Sequence, residues 1–253
     1  MQTRKNAVIK YLSEMGTKIH PGFSIDCVII SFHEDELKIL LNKLQGVDEW
    51  ILPGGYMLSD DPDADFAAQR ILLQRTGIKD VFLKQFHLFS DINRVDKAKV
   101  ARLWKSYQIP SEVSEWASGR FISLGYYAFV DYQQIALGEK DDDVNAWFGI
   151  HELPHLIGDH SLIIQKALTH IHRLNELIPI GFDLLPEKFT ISELRKVHES
   201  LLGMELDRRN FQKKVLASGY VEKLDERKEV NTYPKPYLFQ YNREKLKESE
   251  IIQ

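Results

Sequence analysis

The chain has 253 residues and a formal net charge of −4, with 43% hydrophobic and 28% charged residues. That balance belongs to a soluble globular protein with room for one large domain or two small ones, and it excludes collagen-like, low-complexity and wholly disordered chains. No run approaches the ~18 apolar residues of a membrane span. The first twenty residues mix Arg4, Lys5, Lys10, Glu14 and Lys18 with short apolar pieces, unlike the apolar core of a signal peptide, so a cytoplasmic location is expected.

The charge is uneven. From residue 184 onward 14 Lys+Arg face 12 Asp+Glu, while the preceding residues carry 19 against 25. A mildly basic tail on an acidic body points to two parts with different partners. The single cysteine, Cys27, excludes an intrachain disulfide. Its apolar setting, "IDCVIISF", reads as a buried core residue and not as a nucleophile.

In chain order, residues 23–32 and 37–44 read as adjacent antiparallel strands joined by the polar "HEDE". "WILPGGYM" reads as a third strand running into a Pro-Gly-Gly turn. After the loop "SDDPDAD", "ADFAAQRILLQRT" reads as a helix closed by Gly77. "GRFISLGYYAFVD" is a strong strand, and "AWFGIHELP" a strand leading into a turn. "DHSLIIQKALTHIHRLNELIP" reads as a helix capped by Asp159 and stopped by Pro179. His160, His170 and His172 on it read as surface or capping residues. After Pro186 come two amphipathic helices: "FTISELRKVHESLLG", capped by Thr190 or Ser192, and "ELDRRNFQKKVLASG", capped by Asp207 with Gly219 beyond its end. Two strands around a charged, Pro-containing loop follow. Helix, turn, helix and hairpin is the order of a winged helix-turn-helix.

Residues 151–155, "HELPH", match the zinc-protease pattern H-E-x-x-H. That pattern needs a continuous helix. Pro154 lacks an amide proton and disfavours helical backbone at Leu153, so no zinc site is expected here.

On the second C-terminal helix, Phe211, Val215 and Leu216 are expected to pack inward. Arg208, Arg209, Asn210, Lys213 and Lys214 are expected outward, as cations for phosphates and amides for base edges. Thr190, Ser192 and the wing residues Tyr233 and Lys235 complete the candidate DNA-binding set, with Tyr237 alongside.

Residues 52–78, "LPGGYMLSDDPDADFAAQRILLQRTGI", resemble the Nudix box, G-x5-E-x7-R-E-U-x-E-E-x-G-U with U a bulky aliphatic. The matching pieces are Pro53-Gly54-Gly55, Ala67-Ala68, Arg70, Leu72 and Thr76-Gly77-Ile78. The loop is one residue longer than the pattern, so Asp61 or Pro62 stands where its first Glu belongs. In that family helical Glu residues hold Mg²⁺ for cleavage of a diphosphate linkage, as a hard cation requires. Here those positions correspond to Ile71, Gln74 and Arg75, which at offsets of 0, 3 and 4 share one helix face. They offer no anionic oxygen. The resemblance therefore implies a kept scaffold without catalytic residues, metal or cofactor, the acids Asp60, Asp61, Asp63 and Asp65 reading as a solvated loop and helix start.

Residues 22–242 resemble the Nudix-related transcriptional regulators of the NrtR and AraR type. The stretches "LPGGYM", "AAQRILLQRTGI", "SLGYYAFV", "ELPHLIGDH", "PIGFDLLPEKFTISELRKVHESLLG", "LDRRNFQKKVLASGYVEK" and "PYLFQYN" carry that resemblance. It implies an α/β (α+β) fold, a Nudix α/β/α sandwich with a mixed sheet followed by a C-terminal winged helix. The parts are an N-terminal extension at 1–21, an effector-sensing domain at 22–180 and a DNA-binding domain at 181–253. It also implies a homodimer on a palindromic operator, with a small effector altering DNA affinity: ADP-ribose-type nucleotides in NAD-control members, L-arabinose in sugar-control members. The altered box resembles the sugar-responsive branch, so a repressor of a sugar-catabolic operon is the leading expectation. A NAD-metabolism regulator sensing ADP-ribose, or a Nudix hydrolase of a nucleoside diphosphate compound, is the alternative. Trp50, Arg70, Asp91, Arg94 and Arg120 are the candidate effector contacts. About 22 residues between Asp96 and Gly119 have no counterpart in relatives and are expected to bear on the pocket or the dimer contact.

Overall fold

The computed structural model describes residues 10, 13–14, 16, 18–44, 49–94, 96–106, 108–132, 139–140, 143–175, 184–231 and 233–245. The N-terminal extension lies largely outside them, and the stop expected at Pro179 wholly so. Among the described residues no helix is long and apolar enough to cross a membrane. The chain divides into two compact units. One comprises Met1–Ile30, Lys38–Ala128 and Ile135–Ala167. The other comprises Ser31–Leu37, Phe129–Gln134 and Leu168–Gln253.

The first unit is built on a sheet. Its strands are β1 (Ile19–His33), β2 (Glu36–Leu44), β3 (Gly54–Leu58), β4 (Lys84–Phe89), β5 (Ile122–Phe129), β6 (Glu139–Lys140) and β7 (Asp143–Gly149). The order is β4-β5-β1-β2-β7-β6, and β3 pairs with β1. Residues 25–31 of β1 are buried without interruption, and all but Asp26 and Ser31 are apolar: a central strand covered on both faces shows no alternation. Cys27 is buried among them, as expected, and burial pushes its thiol far up, out of the nucleophilic range. β3 starts only at Gly54. Trp50 and Ile51 make isolated bridges to Leu156 and Asn42. "HELPH" lies in a turn, where the Glu152 N–H donates to the Gly149 carbonyl.

Helix α1 (Ala64–Thr76) follows β3. The Asp63 carboxylate caps it by accepting the Phe66 N–H at 2.8 Å, and Gly77 ends it at φ 77°, a left-handed conformation that costs glycine least. Ala67, Ala68, Ile71 and Leu72 form its buried face. The unmatched stretch after Asp96 folds as two short helices, α2 (Lys97–Ser106) and α3 (Ser111–Ala117). Helix α4 (His160–Asn175) buries Ile163, Ile164, Ala167 and Ile171, a stripe at helical spacing.

In the second unit the β1–β2 turn carries Glu34 and Asp35 at positive φ. The Ser31 hydroxyl donates to the Val130 carbonyl, the His33 ring stacks on Tyr132 at 3.9 Å, and Asp35 pairs with Lys196. The rest is helix α5 (Ile191–Leu202), helix α6 (Arg208–Ser218) and the hairpin β8 (Val221–Arg227) with β9 (Tyr237–Tyr241). Phe189, Ile191, Leu194, Phe211, Val221 and Phe239 form its core. Each helix has the punctuation its residues suggest. Thr190 and Glu193 form a reciprocal capping box on α5, Asp207 caps α6, and Gly203 and Gly219 close them in left-handed conformations. Val215 is partly buried against the core, but Leu216 is 40% exposed. At ~100° per residue it lies about 140° around the helix from Phe211, off the buried face.

Two titrating groups tie the stability of this unit to pH. Burial holds His198 down to about 4 from its ordinary 6.5. Burial alone would raise the Glu193 carboxyl, but the bonds from Lys228 and Thr190 outweigh it and hold the group below its ordinary range. Both depressed values mean that the unfolded chain takes up protons first. The stability His198 contributes is complete above about pH 6.5 and is lost as pH falls toward 4. The folding constant of the winged helix is expected to drop by up to about tenfold per pH unit in that window. His198→Phe should flatten the profile there in urea-melt series, and an unchanged slope would contradict the assignment.

Candidate functional sites

The glycine turn before α1 is shaped by its neighbours. A Cβ on Gly54 would lie 2.5 Å from Asp26 Oδ1 and 3.0 Å from the Ile25 carbonyl, and one on Gly55 would press on Ile71 at 3.2 Å. Only glycine fits at 54. Beneath the turn, the three positions that carry Glu in the Nudix pattern do other work. Ile71 is buried against Gly55. Gln74 accepts from Arg70 Nη1 at 3.1 Å. Arg75 donates from Nε to the Gly54 carbonyl at 3.0 Å.

Three of the four loop acids, Asp61, Asp63 and Asp65, are equally committed. Asp61 takes two bonds from Arg70, at 2.8 and 2.5 Å, and one from the Leu58 N–H. Burial opposes its charge, yet these bonds hold its carboxyl below the ordinary range. Asp63 is the helix cap. Asp65 accepts from the Tyr126 hydroxyl at 2.6 Å and from Gln85 at 2.8 Å, bonds that lower its carboxyl. Among the described residues no group of three His, Cys, Asp or Glu could hold a metal ion. A divalent cation does not fit this residue set.

A second polar group lies around Asp26, a charge inside an apolar strand that needs a partner. Arg94, 8% exposed at its side chain, donates to both oxygens of Asp159, at 2.8 and 3.0 Å, and to the Phe121 carbonyl at 3.1 Å. Asp26 lies 3.7 Å from the same guanidinium and accepts from Ser123 at 2.5 Å. His160 Nδ1 accepts the Leu52 N–H, which leaves its proton on Nε2, 3.7 Å from Asp26. The Asp159 carboxylate thus serves Arg94, while its carbonyl opens the helix by accepting from Ile163. His160 is part of this cluster, which corrects its reading as a surface residue.

The expected effector contacts are dispersed. Asp91 is exposed and forms a local turn with the Asn93 N–H, and Arg120 is exposed and donates to the Ser90 carbonyl, so these two and Arg94 gather around residues 90–94. Arg70 stands apart on α1, paired to Asp61 and donating to the Tyr56 carbonyl. Arg70 and Arg94 are spent on the scaffold, a correction to their reading as ligand contacts. Trp50 is half-buried, edge-on to Phe148, with Lys43 over its ring at 5.5 Å. The two-helix stretch returns to the turn: Trp116 meets Tyr56 edge-on at 5.4 Å, and Phe121 packs on Tyr56 at 5.0 Å.

The winged-helix candidates separate clearly. Arg208, Arg209, Asn210, Lys213 and Lys214 are all exposed. Among the described residues none of these four cations has a carboxylate partner, whereas Arg195 pairs with Glu199, Lys188 with Glu226, Lys228 with Glu193, Lys235 with Glu229 and Arg243 with Glu187. Tyr233 is 97% exposed on the wing. At its base Tyr237 lies under Lys223 at 3.4 Å and Arg227 at 4.0 Å. Ser192 is exposed near the start of α5. Thr190 is buried and its hydroxyl serves the capping box, which corrects its place among the DNA contacts.

Residues 181–241 match the family model described as the NrtR DNA-binding winged helix domain. Over 220 residues the chain is 24% identical to an Acinetobacter baylyi protein described as an ADPR responsive transcriptional repressor NtrR, covering 85% of this chain and 80% of that one. The crystal structure of Shewanella oneidensis NrtR is similar with a TM-score of 0.67 at 22% identity, over 87% of this chain and 94% of its own. Its complex with a 27mer DNA gives 0.67 at 20%, over 87% and 93%. These likenesses establish the fold: a mixed α/β Nudix-like sheet followed by a C-terminal winged helix domain.

The Arg94–Asp159 pair makes a direct prediction. Asp159→Ala strands a buried guanidinium and should cost about 3–5 kcal/mol in urea denaturation. Replacing both partners with apolar residues, Arg94→Met with Asp159→Leu, should cost clearly less. Equal losses would show that charge compensation is not what the pair contributes.

Proposed function

We propose that this chain, a member of the NrtR family with a Nudix-like domain followed by a C-terminal winged helix DNA-binding domain, is a transcriptional repressor. In this reading residues 22–180 sense an effector and residues 181–253 bind operator DNA. The observation that carries it is the set of four exposed cations on α6 that have no carboxylate partner among the described residues, in a module where Lys188, Arg195, Lys228, Lys235 and Arg243 are paired and Lys223 and Arg227 stack on Tyr237. A surface arranged for stability alone has little reason to leave that charge on one helix. A polyanion does use it, because neutralising phosphates releases counterions.

α6 enters the major groove. Arg208, Arg209, Lys213 and Lys214 contact phosphates, and Asn210 is placed for base edges. Ser192 at the start of α5 and Tyr233 and Lys235 on the wing contact the flanking backbone. The chain acts as a cytoplasmic homodimer on a palindromic site, its two α6 helices about one helical turn apart.

The effector is ADP-ribose or a close nucleotide, and the regulated genes belong to NAD metabolism. The A. baylyi relative is described as ADPR responsive, which favours this alternative over the sugar-catabolic reading expected from the altered box. Loss of the box carboxylates removes a metal site, and that loss suits a nucleotide effector as well as a sugar. The protein is not an enzyme in this reading, since the residues that would hold a hydrolytic metal have other roles. Of the effector candidates, Trp50, Asp91 and Arg120 keep exposed surface for a ligand.

Arg209→Ala with Lys213→Ala tests the DNA interface. The doubly substituted protein should bind its operator more weakly, and the slope of log affinity against log salt should shrink by about four, two contacts being lost in each protomer of the dimer. Unchanged affinity and slope in fluorescence anisotropy would place the DNA elsewhere.

A further inference from the structure

The wing hairpin holds two cations on one aromatic ring. Lys223 Nζ lies 3.4 Å from the centroid of the Tyr237 ring, and Arg227 Cζ lies 4.0 Å from it. The strand register brings this about. Lys223 faces Phe239 across the hairpin, and Arg227 faces Tyr237 itself. Three residues of β8 between them stand opposite a single residue of β9, and a bulge of this kind bends its strand and re-aims the side chains on it. Arg227 is fixed further, since Nη1 donates to the Lys235 carbonyl at 2.6 Å and Nη2 to the Tyr237 hydroxyl at 2.8 Å. Both cations are exposed.

The charge of this pair is not balanced by its surroundings. The two cations lie within about 7.5 Å of each other, less than the Debye length of ~8 Å at physiological salt, so they repel. The ring attracts each of them but carries no net negative charge. Among the described residues neither has a carboxylate partner. The acids near them in sequence are engaged elsewhere: Glu226 pairs with Lys188, Glu229 with Lys235, and Glu222 accepts from Asn242. Asp225, on the bulge, forms no ion pair among the described residues. An anion seated between the cations would turn their repulsion into attraction to both. The hairpin engages two guanidinium N–H groups, and those left over, with the ammonium, suit the oxygens of a phosphate. Ring and hydrogen bonds hold these donors in place beforehand, which lowers the entropy lost on binding.

We propose that Lys223 and Arg227, held on Tyr237, form a clamp for one backbone phosphate of the operator, separate from the contacts of α6, Tyr233 and Lys235. The inference rests on the DNA-binding reading above. Tyr237 is a positioning residue in it. A phosphate contact carries no sequence information, so the clamp strengthens binding to any duplex and leaves discrimination to α6.

Fluorescence anisotropy of the full chain on the duplex upstream of its own operon, and on a scrambled duplex, tests it. Lys223→Gln with Arg227→Gln should weaken both by the same factor, about tenfold or more. The slope of log affinity against log salt should shrink by about two, one phosphate being lost in each protomer. Lys223→Gln alone leaves the hydrogen bonds of the hairpin in place and should show part of the same loss. Tyr237→Leu should weaken binding by about threefold in the parent and add nothing once both cations are gone, whereas a merely structural role would cost the same in both. Isothermal titration with ADP-ribose should give one affinity for parent and variants. Unchanged duplex affinity and slope without the two cations, a loss confined to the operator, or a Tyr237→Leu loss that persists without them overturns this inference alone. So does a loss of ADP-ribose binding with duplex binding intact, which would assign the pair to a nucleotide phosphate. A parent that binds neither duplex in a salt-sensitive way overturns the DNA-binding reading and this inference with it.

Discussion

The first unit is fastened around one buried guanidinium. Arg94 ties the start of α4 to the residues before β5 through Asp159 and Phe121, and it faces Asp26 on the central strand. Ser123 and His160 complete the ring, the latter reaching the backbone of Leu52. A charge at 8% exposure is tolerable only with its partners in place. The constraint then propagates. Asp26 occupies the space a side chain at 54 would need, so the first glycine of the turn is dictated by the ion cluster beside it. No phosphate has to be invoked to explain why that residue is glycine.

The same turn and helix keep a Nudix-like scaffold while the positions that carry Glu in the Nudix pattern hold other residues. Everything that folds α1 is present: the Asp63 cap, the Ala67-Ala68 face and the left-handed Gly77. What differs is the face that would meet a metal. Carboxylates there are replaced by an aliphatic, an amide and a cation, and the last two are bonded into the scaffold. Four exposed cations that have no carboxylate partner among the described residues sit together on α6, in a different unit of the chain. The two facts support one reading, in which ligand recognition and DNA binding have taken the place of hydrolysis.

Much of this was legible in the residues. The central strands, α1, α4, the winged helix and its caps follow from runs, periodicity and punctuation that act locally. β4 escaped notice because "KQFHLF" alternates weakly and lies at the end of the sheet path. Leu216 was misplaced because a hydrophobic residue near the edge of a helix stripe is settled by tertiary packing. Arg70, Arg94 and His160 were misread because sequence shows a charge and not its partner. Their partners are 9, 65 and 134 positions away, at Asp61, Asp159 and Asp26. One signal was available: Asp26 inside "SIDCVIISF" is a carboxylate that burial obliges to find a cation.

The account is tested most directly by fluorescence anisotropy on the labelled DNA upstream of the protein's own operon, at fixed salt, with ADP-ribose and with L-arabinose. It predicts tight binding that ADP-ribose weakens by about 5–150-fold and that arabinose leaves unchanged. Tight binding released by arabinose and indifferent to ADP-ribose would contradict it.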